Sequence, residues 1–157
     1  MSFLNSLDIT GSALTAERFR TDIILQNLAN QNTTRTEEGG PYRRKQVVFR
    51  EQPLSFQEQL GNAMKTGGAS VGRNHRTGSR TEGGVIVEEV VESQEAFVPV
   101  YDPTNPDADE NGYVQMPNVN NAEEMVDLMA ATRAYEANIT ALNITKSMAM
   151  KALEIGK

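Results

Sequence analysis

The sequence has no cysteine and no tryptophan, a single histidine, and 6% aromatic residues among its 157. Without cysteine there is no disulfide, no thiolate metal site and no cysteine nucleophile, and the chain is indifferent to the redox state of its compartment. The lone histidine, His75, sits in a Gly/Arg-rich stretch with no apolar setting to tune it, so it reads as a solvated loop residue rather than a general base. No run approaches the roughly 20 apolar residues that a membrane-spanning helix needs. The opening MSFLNSLDITGSAL has neither a basic leader region nor a long apolar core. It does not read as a secretory signal, and any passage out of the cytoplasm is expected by a route that needs no cleavable peptide. The phosphate-cradling GxxxxGK[ST], a GxGxxG after a strand and the GxSxG elbow are missing. The expectation is a non-enzyme with no cofactor and no small-molecule substrate.

Positive charge is also scarce. Fifteen Lys and Arg face 21 Asp and Glu, for a formal charge of −6. That argues against wholesale nucleic-acid binding, which favours basic chains. One basic stretch, YRRKQVVFR (residues 42–50), interleaves Arg43, Arg44, Lys45 and Arg50 with Tyr42 and Phe49, a pattern suited to phosphate contact and base stacking. Together with Arg73, Arg76 and Arg80 it supports nucleic-acid binding as the alternative function. The leaner reading is a basic strand that meets the acidic turn of the same or a neighbouring subunit.

That acidic turn is DADENG, residues 107–112. Asp107, Asp109, Asn111 and Gly112 match the first half of an EF-hand loop, but position 12 falls on Asn118, which cannot supply a bidentate carboxylate. Pro99, Pro103 and Pro106 preclude the entering helix. Asp107, Asp109 and Asn111 are therefore weak metal candidates, and a solvated turn with Asx hydrogen bonds and a positive φ at Gly112 is expected. Asp102, Asp107, Asp109 and Glu110 read as a solvated face, since nothing obvious desolvates them.

Apolar content of 38% leaves a modest core for one main domain with appendages. Residues 2–30 read as a helix through Leu4, Leu7, Leu14, Phe19, Ile23, Ile24, Leu25 and Leu28, with Thr10-Gly11-Ser12 marking a bend or close packing. A polar linker follows, broken by Gly39-Gly40-Pro41. Strand signals lie at 46–49, 85–91, 96–101 and 112–116, a short helix at 54–65, and a mobile Gly/Arg loop at 66–84. The strongest periodicity is C-terminal. Asn121 reads as an N-cap with Glu124 completing a capping box. Beyond it runs the seam Met125, Leu128, Thr132, Tyr135, Ile139, Leu142, Lys146, Ala149, Leu153, with a second apolar flank at Ile144, Met148 and Ile155. Four heptads argue for one coiled-coil-like helix of about 35 residues, with more apolar face than a small β middle can cover.

The fold class is thus α+β: long terminal helices paired as a coiled coil around a small β-rich middle. The units are 1–33, 34–120 with its loop 66–84, and 121–157. The helix residues expected at interfaces are Leu4, Leu7, Leu14, Ile24, Leu28, Met125, Leu128, Tyr135, Ile139, Leu142 and Leu153. Arg133 and Tyr135 are candidate interface anchors.

LQNLANQNTTRT (25–36) resembles the Asn-rich signature of flagellar basal-body rod and hook proteins, with Asn27, Leu28, Ala29, Asn30, Asn32 and Thr33 on the pattern. Residues 123–157 resemble the C-terminal helix of that family. GGPYRRKQVVF and VYDPTNPDADENGYVQMPNVN extend the likeness to its proximal-rod members, relative to which residues 57–84 read as an insertion. The resemblance implies a structural subunit of the axial rod, which transmits torque from motor to hook. It further implies export by the flagellar type III apparatus and assembly in the periplasm with copies of itself and other rod and basal-body proteins. The terminal helices would form the inner tubular layer and order on assembly. Asn27, Asn30 and Asn32 would then cap the N-terminal helix and hydrogen-bond the chain as it turns outward.

Overall fold

The computed structural model describes residues 3–53, 60 and 83–155. In chain order it has helix α1 (Phe3–Ala29), strands β1 (Lys45–Glu51), β2 (Val85–Glu92), β3 (Val98–Tyr101) and β4 (Tyr113–Met116), and helix α2 (Asn121–Ile155). Two long helices with small antiparallel sheets make the class α+β. The helix expected at 54–65 and the Gly/Arg stretch 66–82, with His75, Arg73, Arg76 and Arg80, lie outside the described residues, apart from Leu60.

Helix α1 runs unbroken through Thr10-Gly11-Ser12; a Cβ on Gly11 would meet nothing within 4 Å, and the close approach is made at Ser12, against the chain at Gly84. The Ser12 hydroxyl donates to the Ile9 carbonyl at 2.7 Å and accepts from the Val85 amide at 3.0 Å, tying the start of β2 to the helix. At the other end, the Asn30 amide and its side-chain Nδ2 both donate to the Gln26 carbonyl, at 3.1 and 2.9 Å. The polar linker then closes into a tight return. Thr36 and Gly40 are bonded across it, with Gly39 and Gly40 at φ +84° and +93°, which glycine enters without a Cβ penalty. The Tyr42 amide donates to the Thr33 carbonyl at 3.1 Å, so Tyr42 and Arg44 come back beside the end of α1.

The β middle divides into two two-stranded antiparallel sheets, β1–β2 and β3–β4. In the first, Val47 faces Val90, and a bulge at Val48/Phe49 leaves Glu88 without an opposite residue. Arg50 meets the Glu88 carboxylate there at 2.9 Å. In the second, Tyr101 faces Tyr113, their rings edge to face with centroids 5.3 Å apart.

Helix α2 begins at Asn121, one residue earlier than a cap at Asn121 requires. The cap is Asn120, whose Oδ1 accepts from the Ala122 amide at 3.0 Å. Glu124 completes no capping box; its side chain is 1% exposed and turned inward. The two helices run antiparallel: Asn27 near the end of α1 meets Glu124 in the first turn of α2, and Arg20 meets Asp127 at 3.8 Å.

The inward stripe of α2 is rotated from the expected seam. Leu128, Leu142 and Ala149 lie on its covered side as expected, but Met125, Thr132, Ile139 and Lys146 are exposed, and their neighbours Glu124, Ala131, Asn138 and Thr145 take the covered positions. Burial of Glu124 supplies the physical reason, because it fixes the rotation of the first turn. Ala131, fully buried, and half-buried Ala134 then lie on the covered side, while the larger Met125, Tyr135 and Ile139 stay exposed. The apolar core is small, formed among the described residues by Ala16, Ile24, Tyr42, Val114 and Ala131.

Candidate functional site

Three polar residues far apart in sequence are buried together where α1, the linker and α2 converge. Asn27 uses its whole hydrogen-bonding capacity there. Its Nδ2 donates to the Lys45 carbonyl at 2.8 Å and to Glu124 Oε2 at 3.0 Å, while its Oδ1 accepts from the Lys45 amide at 3.0 Å and the Tyr42 hydroxyl at 2.9 Å. The side-chain amide pairs with the Lys45 peptide as a neighbouring strand would. It thereby joins β1 to α1 and α2 at one point.

Glu124 is the charge at the centre. A carboxylate buried this deeply is costly unless paired and hydrogen-bonded. Arg44 Nε lies 2.5 Å from Glu124 Oε1, and the same guanidinium reaches Glu123 at 3.4 Å and Asp127 at 3.3 Å. Arg44 is itself held through its backbone, whose amide donates to Asn118 Oδ1 at 2.8 Å. Asn118 donates onward to the Glu95 carbonyl at 3.2 Å. Burial of the Tyr42 ring, with the Glu124 and Glu92 carboxylates nearby, pushes its hydroxyl up to about 12, so it stays a donor.

The basic stretch is thus engaged within the chain. Its partner is the acidic start of α2 and not the acidic turn: Arg44 pairs there, Arg50 pairs with Glu88, and Arg43 stacks 4.4 Å over the Phe97 ring while donating to the Ser93 carbonyl at 3.1 Å. The acidic turn is met instead by the linker. Thr34 donates to Asp107 at 2.8 Å and Arg35 approaches it at 3.9 Å. Asp109 Oδ1 accepts from the Asn111 and Tyr113 amides, both at 2.9 Å, in an Asx turn with Gly112 at φ +79°. Among the described residues, no group of three or more His, Cys, Asp or Glu gathers to hold a metal ion.

Of the motif residues, Asn27 is buried in the cluster and Asn30 closes the end of α1, with Thr33 donating to its Oδ1 at 3.1 Å. Leu28 is half-buried, and Ala29 and Asn32 are exposed. Asn27 does not cap the helix; it bonds across the chain. Among the helix residues, Leu4 lies in the first turn of α1, Leu7, Leu14, Leu128 and Leu142 are half-buried, and Ile24 belongs to the core. Met125, Tyr135, Ile139 and Leu153 are exposed, as is Arg133. Large apolar side chains are exposed along the whole of α2, from Val126 at 60% near its start to Ile144 at 55%, Met148 at 67% and Ile155 at 87%. Beside Ile144, Met148 and Ile155, an open groove holds Thr140, Ser147 and Ala152, an apolar floor with a polar margin.

Sequence reading missed Glu124, Arg44 and Asn118 as one unit. The available signal was local only: an acidic helix start and a basic strand, with no indication that they meet.

Comparison with known proteins adds what the geometry cannot. The model of the family described as flagellar basal body rod FlgEFG protein C-terminal matches residues 110–155. The flagellar basal-body rod protein FlgC of Bacillus subtilis is 47% identical over 161 aligned positions, covering 100% of both chains. The FlgC of Escherichia coli O6:H1 is 43% identical over 157 positions, again covering 100% of each, and that of Borreliella burgdorferi is 38% identical over 99% of this chain and 98% of its own.

Proposed function

The chain belongs to the FlgC family of flagellar basal-body rod proteins, and from that premise we propose how its fold serves as a structural subunit of the rod. Full-length identity of 43–47% to proteins of that name carries the assignment. The family is structural, and the nucleic-acid alternative finds no support in the comparisons. The described cations that suggested it have partners inside the chain.

In this reading α1 and α2 pair as a coiled coil, forming an inner core from residues 1–33 and 121–157. The middle, 34–120, stands outside it. What supports the reading is the shortage of internal cover. Helix α2 has 35 residues, yet only Glu124 and Ala131 are buried. An apolar helix face left open to this extent is a partner face. Met125, Tyr135, Ile139 and Leu153 would meet neighbouring subunits, copies of this chain or other rod proteins. Heterologous contacts that do not close into a ring build a helical tube. A tube joined by long packed helices resists twisting and would carry torque from motor to hook. Delivery by the flagellar type III apparatus, without a cleaved signal peptide, and assembly in the periplasm belong to the same proposal.

The test is genetic and biochemical. Deleting the gene should abolish swimming and remove the chain from purified basal bodies, and a plasmid copy should restore both. Normal rods in the deletion strain would overturn the reading.

A further inference from the structure

Charge is unevenly divided between the middle of the chain and its helices. Residues 85–120 carry eight Asp and Glu and no Lys or Arg. Among the described residues, Arg50 and Arg35 offset only Glu88 and Asp107 of these. Of the described cations outside ion pairs, Arg43 and Lys45 lie over the Phe97 and Tyr42 rings, and Arg18, Arg133, Lys146 and Lys151 are exposed on the helices. Apolar surface is left open in the same two places. In the β3–β4 hairpin Val100 pairs with buried Val114, so Tyr101 and Tyr113, one residue along, face the other way. They stay 65% and 44% exposed. Three residues before Tyr113, the Glu110 side chain stands exposed in the turn, without a partner among the described residues. On α2, Val126, Met129 and Arg133 follow at steps of three and four, so they share one outward face, and all three are exposed. Their acidic neighbours Glu123 and Asp127 are already held by Arg44, which leaves Arg133 as the unpaired charge at the end of this apolar strip.

We propose that these two surfaces meet between adjacent copies of the chain: the Tyr101–Tyr113 face of one hairpin covers Val126 and Met129 of the next copy, and Glu110 pairs with that copy's Arg133. This deepens the rod reading and rests on it. A second copy is the occupant that the charges favour. The hairpin belongs to a segment with acid and no base, and the exposed cations without ion pairs stand on the helices of the same chain. The chemistry of the two faces also matches. Tyrosine is enriched among the anchors of protein interfaces, and a methionine thioether packs favourably against an aromatic ring. The charge pair sets the register, since a slipped contact brings like charges together. With a hairpin on one side and a helix on the other, the contact is heterologous. Each copy keeps one of the two surfaces free for a further neighbour, as a tube wall requires.

Charge reversal tests this. Glu110→Arg and Arg133→Glu, each supplied as the sole copy to a deletion strain, should lower the amount of the chain in purified basal bodies at least about tenfold. A chain with both changes restores the pair at every copy-to-copy contact and should return close to the natural level. Both residues are exposed, so the free variants should unfold in urea as the natural chain does. Normal incorporation of either single variant would overturn the proposal. So would a double variant no better than the singles, the result expected if either surface meets a different rod protein. A second measurement holds even if a reversed chain fails to fold. The chain has no cysteine, so exposed Asn111→Cys and Ala130→Cys together place the only two thiols at the contact and spare the charge pair. A short bifunctional maleimide should link copies within basal bodies into dimers and higher multimers, and the absence of linked chains would overturn the contact. Absence of the natural chain from basal bodies would instead remove the rod reading, so the two failures are told apart.

Discussion

Replacing Asn27 with alanine removes four hydrogen bonds at once. The Lys45 amide and carbonyl lose their partner, and β1 has no other strand on that side of residue 45 to replace it. The Tyr42 hydroxyl loses its acceptor in a site where burial disfavours its ionised form. Glu124 keeps Arg44, so the charge remains paired. An unsatisfied buried polar group costs about 1–3 kcal/mol, and water entering the vacated space recovers part of that. Counting the two Lys45 groups and the Tyr42 hydroxyl at the low end gives a loss of about 3–4 kcal/mol. That is a large share of the ~5–15 kcal/mol that holds a small domain folded. Asn30→Ala loses a bond to one helix-end carbonyl and should cost about 1 kcal/mol, and exposed Asn32→Ala less than about 0.5 kcal/mol. Urea unfolding followed by far-UV circular dichroism ranks the three. If Asn27→Ala costs no more than Asn30→Ala, the cluster is not what joins the helices to β1.

Other expectations follow from the same geometry. Glu124→Ala should destabilise by about 3 kcal/mol, because it leaves Arg44 facing only Glu123 and Asp127, while Glu123→Ala at its exposed pair should cost less than about 0.5 kcal/mol; thermal melts separate them. Tyr42 is neutral in both folded and unfolded chains at pH 7, and its folded value lies above the unfolded one. Its contribution is therefore complete below about pH 10 and is lost as pH rises toward about 12, on the order of 2 kcal/mol; a Tyr42→Phe variant should lack that part of the alkaline loss. Gly112→Ala should cost about 1–2 kcal/mol, since a Cβ there meets Tyr101 at 3.0 Å on a backbone with φ +79°. Millimolar calcium should leave the melting temperature unchanged, as Asp109 Oδ1 is already engaged by backbone amides.

The sequence displayed the elements better than their relations. The length of α2 was legible because a three-four repeat sustained over four heptads has few other readings. The four strands were legible from β-branched runs between turn residues, to within about two residues. The rotation of α2 was not legible. It depends on Glu124 meeting Arg44 across 80 residues of chain and Asn27 across 97, and a periodicity count ranks a buried glutamate as polar and turns it outward. The acidic turn was read locally and held locally, since its Asx bonds span only two to four residues. The basic strand was misassigned a partner for the opposite reason: charge shows what a residue seeks, but only the fold shows what it reaches. The motif asparagines stood out through family likeness alone, and the structure gives them different work, Asn27 across the chain and Asn30 at the helix end.

The central claim is that the uncovered face of α2 joins this subunit to its neighbours. It is tested most directly by replacing Ile144 and Met148, 55% and 67% exposed, with glutamate in one chain and assaying its presence in purified basal bodies. The account predicts that the free variant unfolds in urea as the natural chain does, while the variant disappears from basal bodies and swimming is lost. Normal incorporation of a stably folded variant would contradict it.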